Sequence, residues 1–275
     1  MMYGNIIVRH KEMSTGERER AMETVRLLWR HELPAAARLG RPPRLNLDTV
    51  IEAGIGIADE AGSPDFSLRA VSDRLGVAVM TLYSYIDSKE QLLDLMVDQC
   101  RATMEFGPLT GPWRRRLGQV AGENLALFLA HPWLACLESE RTILGPGTLA
   151  KYERELTAVE PLPLDDPGKD AALTLVLDFV RAAARAQVAA VAERGQETPE
   201  QWWRREGELL AGLGVAGRFP LAERIGTAAG ETNRAAHPAG EAYRFGLAVI
   251  LDGLERHKGE VRPAARRPGR RRSPG

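Results

Sequence analysis

The chain has 275 residues, with 37 Lys or Arg against 37 Asp or Glu and 44% hydrophobic residues, enough for one small and one larger domain that each bury a core. A net charge of zero excludes a general nucleic-acid coat protein, whose basic excess supplies its affinity. No apolar run reaches the roughly 18 to 20 residues of a membrane span, and charged Arg9, Lys11 and Glu12 follow the short Ile6-Ile7-Val8 too closely for a signal peptide, so a cytoplasmic protein with no membrane partner is expected.

Residues 1–12 carry no pattern, and Met13-Ser14-Thr15 reads as a more natural start. Glu17 to Leu33 is charged and helix-compatible, with Ala21, Val25 and Leu28 on one stripe and Trp29 beside it. Residues 1–40 are expected to be an N-terminal extension, partly disordered, whose helix either packs on the body or forms only when bound. Leu39-Gly-Arg-Pro-Pro-Arg-Leu45 is an extended basic linker, because each proline biases its predecessor out of the helical region. Charge divides sharply here. Residues 1–44 hold nine Lys or Arg against five Asp or Glu, whereas residues 45–101 hold four against ten.

Asn46 can cap a helix whose apolar face is Leu47, Val50, Ile51, Gly54, Ile57 and Ala58, stopped by Gly62. Ser67 can cap the next, with Leu68, Val71 and Leu75 on one face, and Gly76 supplies the left-handed C-cap with Val77 tucked behind it. A second short helix then begins at Ala78 and runs toward Ile86. Two helices joined by so sharp a turn form a helix-turn-helix over 67–86, whose second helix enters the DNA major groove. Ser88-Lys-Glu-Gln91 opens a further helix to about Met104, backed by Leu92, Leu93, Leu95, Met96 and Val97.

Leu75-Gly-Val, Thr81-Leu-Tyr83, Tyr85 and Ser88-Lys-Glu90 together resemble the TetR (tetracycline-repressor) family of one-component transcriptional regulators. The resemblance implies a DNA-binding domain over 41–104, with Arg41 and Arg44 in the preceding arm reaching phosphates or the minor groove. Ser67, Ala78, Val79, Met80, Thr81, Tyr83, Ser84, Tyr85 and Lys89 complete the expected DNA-binding set. Val79, Met80, Thr81 and Ser84 fall on the base-reading face, where they offer apolar contact to thymine methyls and hydroxyl hydrogen bonds. Tyr83, Tyr85 and Lys89 suit phosphates. The family pattern has Ser or Thr where this chain has Ala78, a difference of about 1 kcal/mol in local capping.

Phe106-Gly-Pro-Leu-Thr-Gly-Pro112 marks a boundary, and the sequence beyond it reads as helices over 112–130, 132–140, 147–159, 170–194, 199–213 and 240–257, with no period-2 strand. The expected fold class is therefore all-α, with a larger helical domain over 110–258. The tail over 259–275 is expected to be disordered and basic, since Arg262 to Gly275 holds six arginines, three prolines and no acid. His131-Pro-Trp133, Gly145-Pro-Gly147 with Tyr152-Glu153, and Phe245-Gly-Leu247 with Ile250-Leu-Asp-Gly-Leu254 look like the C-terminal domain of a tetracycline-repressor-like subgroup. That likeness implies a small-molecule effector and a homodimer.

Candidate effector contacts are Asn124, Phe128, His131, Trp133, Tyr152, Phe179 and Trp202. His131 before Pro132 reads either as a ligand donor or as helix punctuation. Trp202 and Trp203 face about 100° apart, and one either packs in the core or closes over an aromatic ligand. The helix from Asp170 and the last helix carry apolar surface too broad for one partner, and in the family such helices form a four-helix dimer interface. The residues assigned to it are Leu177, Val180, Ala184, Val188, Leu247, Ile250, Leu251 and Leu254.

No P-loop, Gly-x-Ser-x-Gly, His-Glu-x-x-His or dinucleotide fingerprint occurs, and Asp165-Asp166 and Glu138/Glu140 read as solvated surface. Cys100 and Cys136 have no metal-ligand or disulfide spacing and read as free buried thiols. No enzyme, cofactor or metal is expected. The sequence reads as a ligand-responsive, homodimeric regulator, a repressor that binds a near-palindromic double-stranded DNA operator. The competing reading is an all-α interaction module whose helix-turn-helix does not bind DNA, which the acidic 45–101 segment favours.

Overall fold

A computed structural model of the chain describes residues 14–33, 45–137, 143–194, 198–213, 217–233 and 239–257. Among them the elements are all helical: α1 Thr15–Leu28, α2 Leu47–Ala61, α3 Leu68–Leu75, α4 Val79–Leu82, α5 Lys89–Ala102, α6 Trp113–Ala130, α7 Pro132–Ala135, α8 Pro146–Val159, α9 Asp166–Arg194, α10 Pro199–Gly212, α11 Pro220–Asn233 and α12 Ala239–Arg256. None of the described helices is long and apolar enough to cross a membrane.

Local chemistry sets most of these boundaries. The Asn46, Ser67 and Ser88 side chains each accept a backbone N–H from the first turn of α2, α3 and α5, so three of the orphan donors at helix starts are satisfied. Gly76 ends α3 at φ 67°, a left-handed conformation that a Cβ would strain. Its neighbour Val77 donates back to Ser72 O and completes the turn into α4.

The core is continuous from end to end. Val50, Ile51 and Val71 pack with Leu82, Ile86, Leu92 and Met96 around α2 to α5, and Leu117, Val120, Trp133, Leu173 and Val176 extend the same apolar interior through α6, α7 and α9. Helix α9 is the spine of the C-terminal part, with α6, α7, α8 and α12 packed on it, while α5 lies between α2 on one side and α8 on the other.

Several expectations change. Helix α1 packs on the body, the first of its two expected alternatives: its Ser14–Glu17 capping box starts it, Leu28 is buried, Trp29 Nε1 donates to Leu144 O at 2.8 Å, and Arg30 pairs with Asp48 at 2.5 Å. Helix α4 spans four residues and not nine, because Ser84 Oγ turns back to donate to Thr81 O at 2.6 Å and a tight turn follows. Helix α9 begins at Asp166, and Asp165 is its cap and not idle surface, since its Oδ1 accepts from Gly168 N at 3.0 Å. Helix α7 ends at Ala135, short of the expected reach to residue 140. Helix α11 was not anticipated. Cys100 is buried but Cys136 is exposed, just past the end of α7. Arg41, Arg44, Glu138, Glu140 and the tail from residue 258 lie outside the described residues.

Candidate nucleic-acid interface and effector site

At the far end of the N-terminal helices, α4 is anchored by Leu82, which is fully buried, and presents the opposite face to solvent. Met80 is 75% exposed and Tyr83 47%, with Thr81 and Ser84 exposed beside them and Val79 half-buried. Ala78 sits at the N-cap without a side-chain hydrogen bond, as its missing hydroxyl requires. Ser67 is exposed with its Oγ committed to Ala70 N. Tyr85 departs from its expected role: its hydroxyl points inward and donates to Leu45 O at 2.9 Å, fixing the chain where it enters α2. Lys89 lies at the start of α5, 3.3 Å from Asp65 and 5.0 Å over the Phe66 ring.

Two carboxylates of these helices bond the C-terminal part. Asp59 of α2 is the acceptor for both His131, whose Nδ1 lies 2.9 Å from Oδ1, and Trp133, whose Nε1 donates at 2.8 Å. Trp133 is wholly enclosed, so this carboxylate is the only described partner of its indole N–H. Asp98 of α5 accepts from Thr148 N at 2.7 Å and Gly147 N at 3.3 Å, placing a buried negative charge at the positive end of α8. Burial, reinforced by the Asp59 charge, pushes the thiol of Cys100 on α5 up to about 12.

The expected effector contacts do not converge on one place. His131 and Trp133 belong to the Asp59 contact just described. Phe179 stacks on Tyr243 of α12, with ring centroids 5.9 Å apart. Tyr152 donates to Asp170 Oδ1 at 2.7 Å, tying α8 to α9. Trp202 is 39% exposed on α10 and does not join the core.

Asn124 and Phe128 alone among them line a common region, in polar company that the sequence reading missed. Asn124 Nδ2 donates to Glu155 Oε1 at 2.6 Å, and the same oxygen accepts from Lys151 Nζ at 2.5 Å. All three residues are buried. Arg181 of α9 lies over Phe128 at 5.7 Å, and Arg101 of α5 donates to Thr148 Oγ1 at 3.1 Å. The signal was present: Thr148, Lys151 and Glu155 fall at i, i+3 and i+7 on the stripe that continues through Ala158 and Val159, so these polar residues face inward.

The expected dimer residues also divide. Val180, Ala184 and Leu251 are enclosed by their own subunit and cannot meet a partner, because they fill the seam where α9 packs on α6 and α12. Leu177, Val188, Leu247, Ile250 and Leu254 are half-buried. The outward face of α9 and α12 instead carries Leu175, Phe245 and Val249, each more than half exposed.

Residues 107–257 match the family described as tetracyclin repressor-like, C-terminal domain. The chain is 35% identical over 249 residues, 87% of its own length and 89% of the other, to the HTH-type transcriptional repressor DrrR1 of Streptomyces coeruleorubidus. It is 33% identical over 115 residues, 40% of its length and 48% of the other, to an HTH-type transcriptional regulator of Saccharopolyspora erythraea. Among solved structures it is similar to the Streptomyces coelicolor TetR family protein ActR in complex with actinorhodin, with a TM-score of 0.61 and 25% identity, covering 79% of this chain and 98% of that one.

Proposed function

This chain belongs to the TetR family of transcriptional regulators, and we propose that it acts in the cytoplasm as a homodimeric repressor released from a near-palindromic operator by a small molecule. It is a DNA-binding regulator and not an enzyme. Residues 41–104 form the DNA-binding domain, and 110–258 hold the effector and the dimer interface.

The observation that carries the DNA assignment is α4. Its inner residue Leu82 is fully buried while Met80 and Tyr83 stand in solvent with Thr81 and Ser84, an arrangement that leaves the exposed face free for base edges and backbone. Met80 supplies apolar contact to thymine methyls, Thr81 and Ser84 supply hydroxyls, Tyr83 and Lys89 reach phosphates, and Arg41 and Arg44 extend the contact along the arm. A gel shift with the DNA upstream of the chain's own gene tests it. Lys89→Ala should weaken every sequence alike and flatten the slope of log affinity against log salt by about 0.9. An unchanged slope removes Lys89 from the interface, and no shift on any DNA returns the fold to the protein-interaction reading.

The dimer is assigned to the outward face of α9 and α12 through Leu175, Phe245 and Val249. Phe245→Glu places a charge in that contact without touching the subunit's own core, and should yield a folded monomer in sedimentation with operator affinity sharply reduced. Normal dimers from this variant would move the interface elsewhere.

The effector is assigned to the junction of α6, α8 and α9. From there Phe128 is one turn from His131, and Thr148 lies on Asp98, so occupancy bears on both contacts to the DNA-binding helices. A differential affinity of about 1–3 kcal/mol between the two arrangements suffices for release.

A further inference from the structure

One cation at the α6–α8–α9 junction has no counter-charge among the described residues. The Arg181 guanidinium lies 5.7 Å over the Phe128 ring, and its Nη1 donates a long bond to Leu137 O at 3.4 Å. Its Nε is buried with no hydrogen-bond partner at all. Among the described residues no carboxylate comes within ion-pair distance of it.

Four carboxylates of the surrounding helices are committed elsewhere. Glu155 Oε1 accepts from both Lys151 and Asn124, Asp98 caps α8, Glu123 pairs with Arg154 at 2.6 Å, and Asp170 accepts from Tyr152. Burial pushes the Lys151 amine below its ordinary range, Glu155 opposes this, and Arg101 and Arg181 push it down further. The junction therefore holds two cationic side chains, Lys151 and Arg181, near one carboxylate, Glu155, that Lys151 already engages.

Native interiors rarely leave a guanidinium N–H enclosed and unbonded, and each such case calls for a reason. Cations in excess, against an aromatic ring and within an otherwise apolar interior, are suited to an anion attached to a flat apolar body.

We propose that the effector is an aromatic organic anion, its ionised oxygens bound by the Nε and Nη of Arg181 with Lys151 behind, and its ring system lodged beside Phe128. The proposal rests on placing the effector site at this junction and deepens that reading by naming the chemical class. Arg181 selects the charge, while Phe128 and the apolar helix faces hold the rings whatever their charge.

Two fluorescent probes that share a ring system separate these roles. Anilinonaphthalene sulfonate carries the anion, and phenylnaphthylamine lacks it. Titrated into the full-length protein, the sulfonate should bind more tightly than the neutral amine. Arg181→Met should weaken the sulfonate by about tenfold, the scale of one charge-assisted hydrogen bond, and change the amine by less than about twofold. Arg181→Gln, which keeps an amide donor without charge, should lose the sulfonate similarly, and Arg181→Lys should retain most of it. Circular dichroism on each variant reports folding, and a variant that loses helix is set aside in favour of the other substitutions.

If the wild-type protein binds the sulfonate no more tightly than the amine, or if the neutral variants weaken both probes equally or neither, the proposal is overturned. The titration needs no DNA, so its failure leaves the regulator assignment standing, and a failed gel shift leaves the titration standing.

Discussion

Replacing Asp59 by alanine isolates the contact that joins α2 to the C-terminal helices. The variant removes the acceptor of the enclosed Trp133 indole, 2.8 Å away, and of His131 at 2.9 Å. An unsatisfied buried donor that had bonded a charged group costs about 1.5–3 kcal/mol. The His131 pair, with side chains 23% and 29% exposed, is close to the surface case and adds at most about 1 kcal/mol. The sum is roughly 2–4 kcal/mol, which for a body of this size lowers Tm by about 5–15 °C. Thermal unfolding by circular dichroism measures it. A double-mutant cycle with Trp133→Phe, which keeps the ring and deletes the N–H, shows where the energy lies. Trp133→Phe should cost at least about 1 kcal/mol less in the Asp59→Ala background than in the wild type. Additivity of the two within about 0.5 kcal/mol would mean that the indole does not depend on Asp59, and the account of the interdomain contact would fail.

Ala78→Ser supplies the missing cap of α4 and should stabilise the protein by roughly 0.5–1 kcal/mol; an unchanged Tm would show that α4 forms only on DNA. Gly147→Ala should destabilise by about 1–3 kcal/mol, because the new methyl meets backbone on both sides, the carbonyl of Asp98 and Ala102 N at 2.7 Å. Gly54→Ala, where the flexible Met96 Sδ at 2.8 Å can give way, should cost less, and a reversed order in thermal melts would refute the close approach of α8 to α5. A disulfide exchange reagent at mildly alkaline pH should titrate the exposed Cys136 at once and spare Cys100, whose thiol, held up to about 12 by burial, stays protonated until denaturant is added. Two fast equivalents would mean that Cys100 is open to solvent.

The helix-turn-helix was legible because its instructions are local. Ser67, Gly76 and Ser88 each set a boundary through a partner two to five residues away, and spacing alone identifies them. The orientation of Tyr85 was not legible, because its hydroxyl partner, Leu45 O, is 40 residues distant, and only the packed domain decides whether that hydroxyl faces DNA or the chain. Asp59 is a similar case: on α2 it reads as one carboxylate among many, and its partners arrive from 72 and 74 residues further on. Lys151 and Glu155 have the i, i+4 spacing of a surface ion pair, and only their register with Ala158 and Val159 gives them away as interior. For α9 and α12 the apolar stripes were read correctly but assigned to a partner subunit, whereas Ala184 and Val180 are consumed inside the subunit and the smaller exposed set remains.

The two carboxylate contacts between the halves are unequal, and the inequality bears on how a signal would pass. Asp98 is buried, bonds two backbone amides at the start of α8, and faces a glycine with no room for a Cβ, so α5 and α8 move as one piece. Asp59 is partly exposed and holds His131 and Trp133 through its carboxylate alone, which rotates away at lower cost than backbone that is packed in contact. A displacement of α8 that carries α5 with it therefore shifts α5 against α2, and the strain falls on the Asp59 contact first. Because α3 packs on α2 and α4 on α3, a small change in the angle of α2 moves α4, where Met80 and Tyr83 stand exposed.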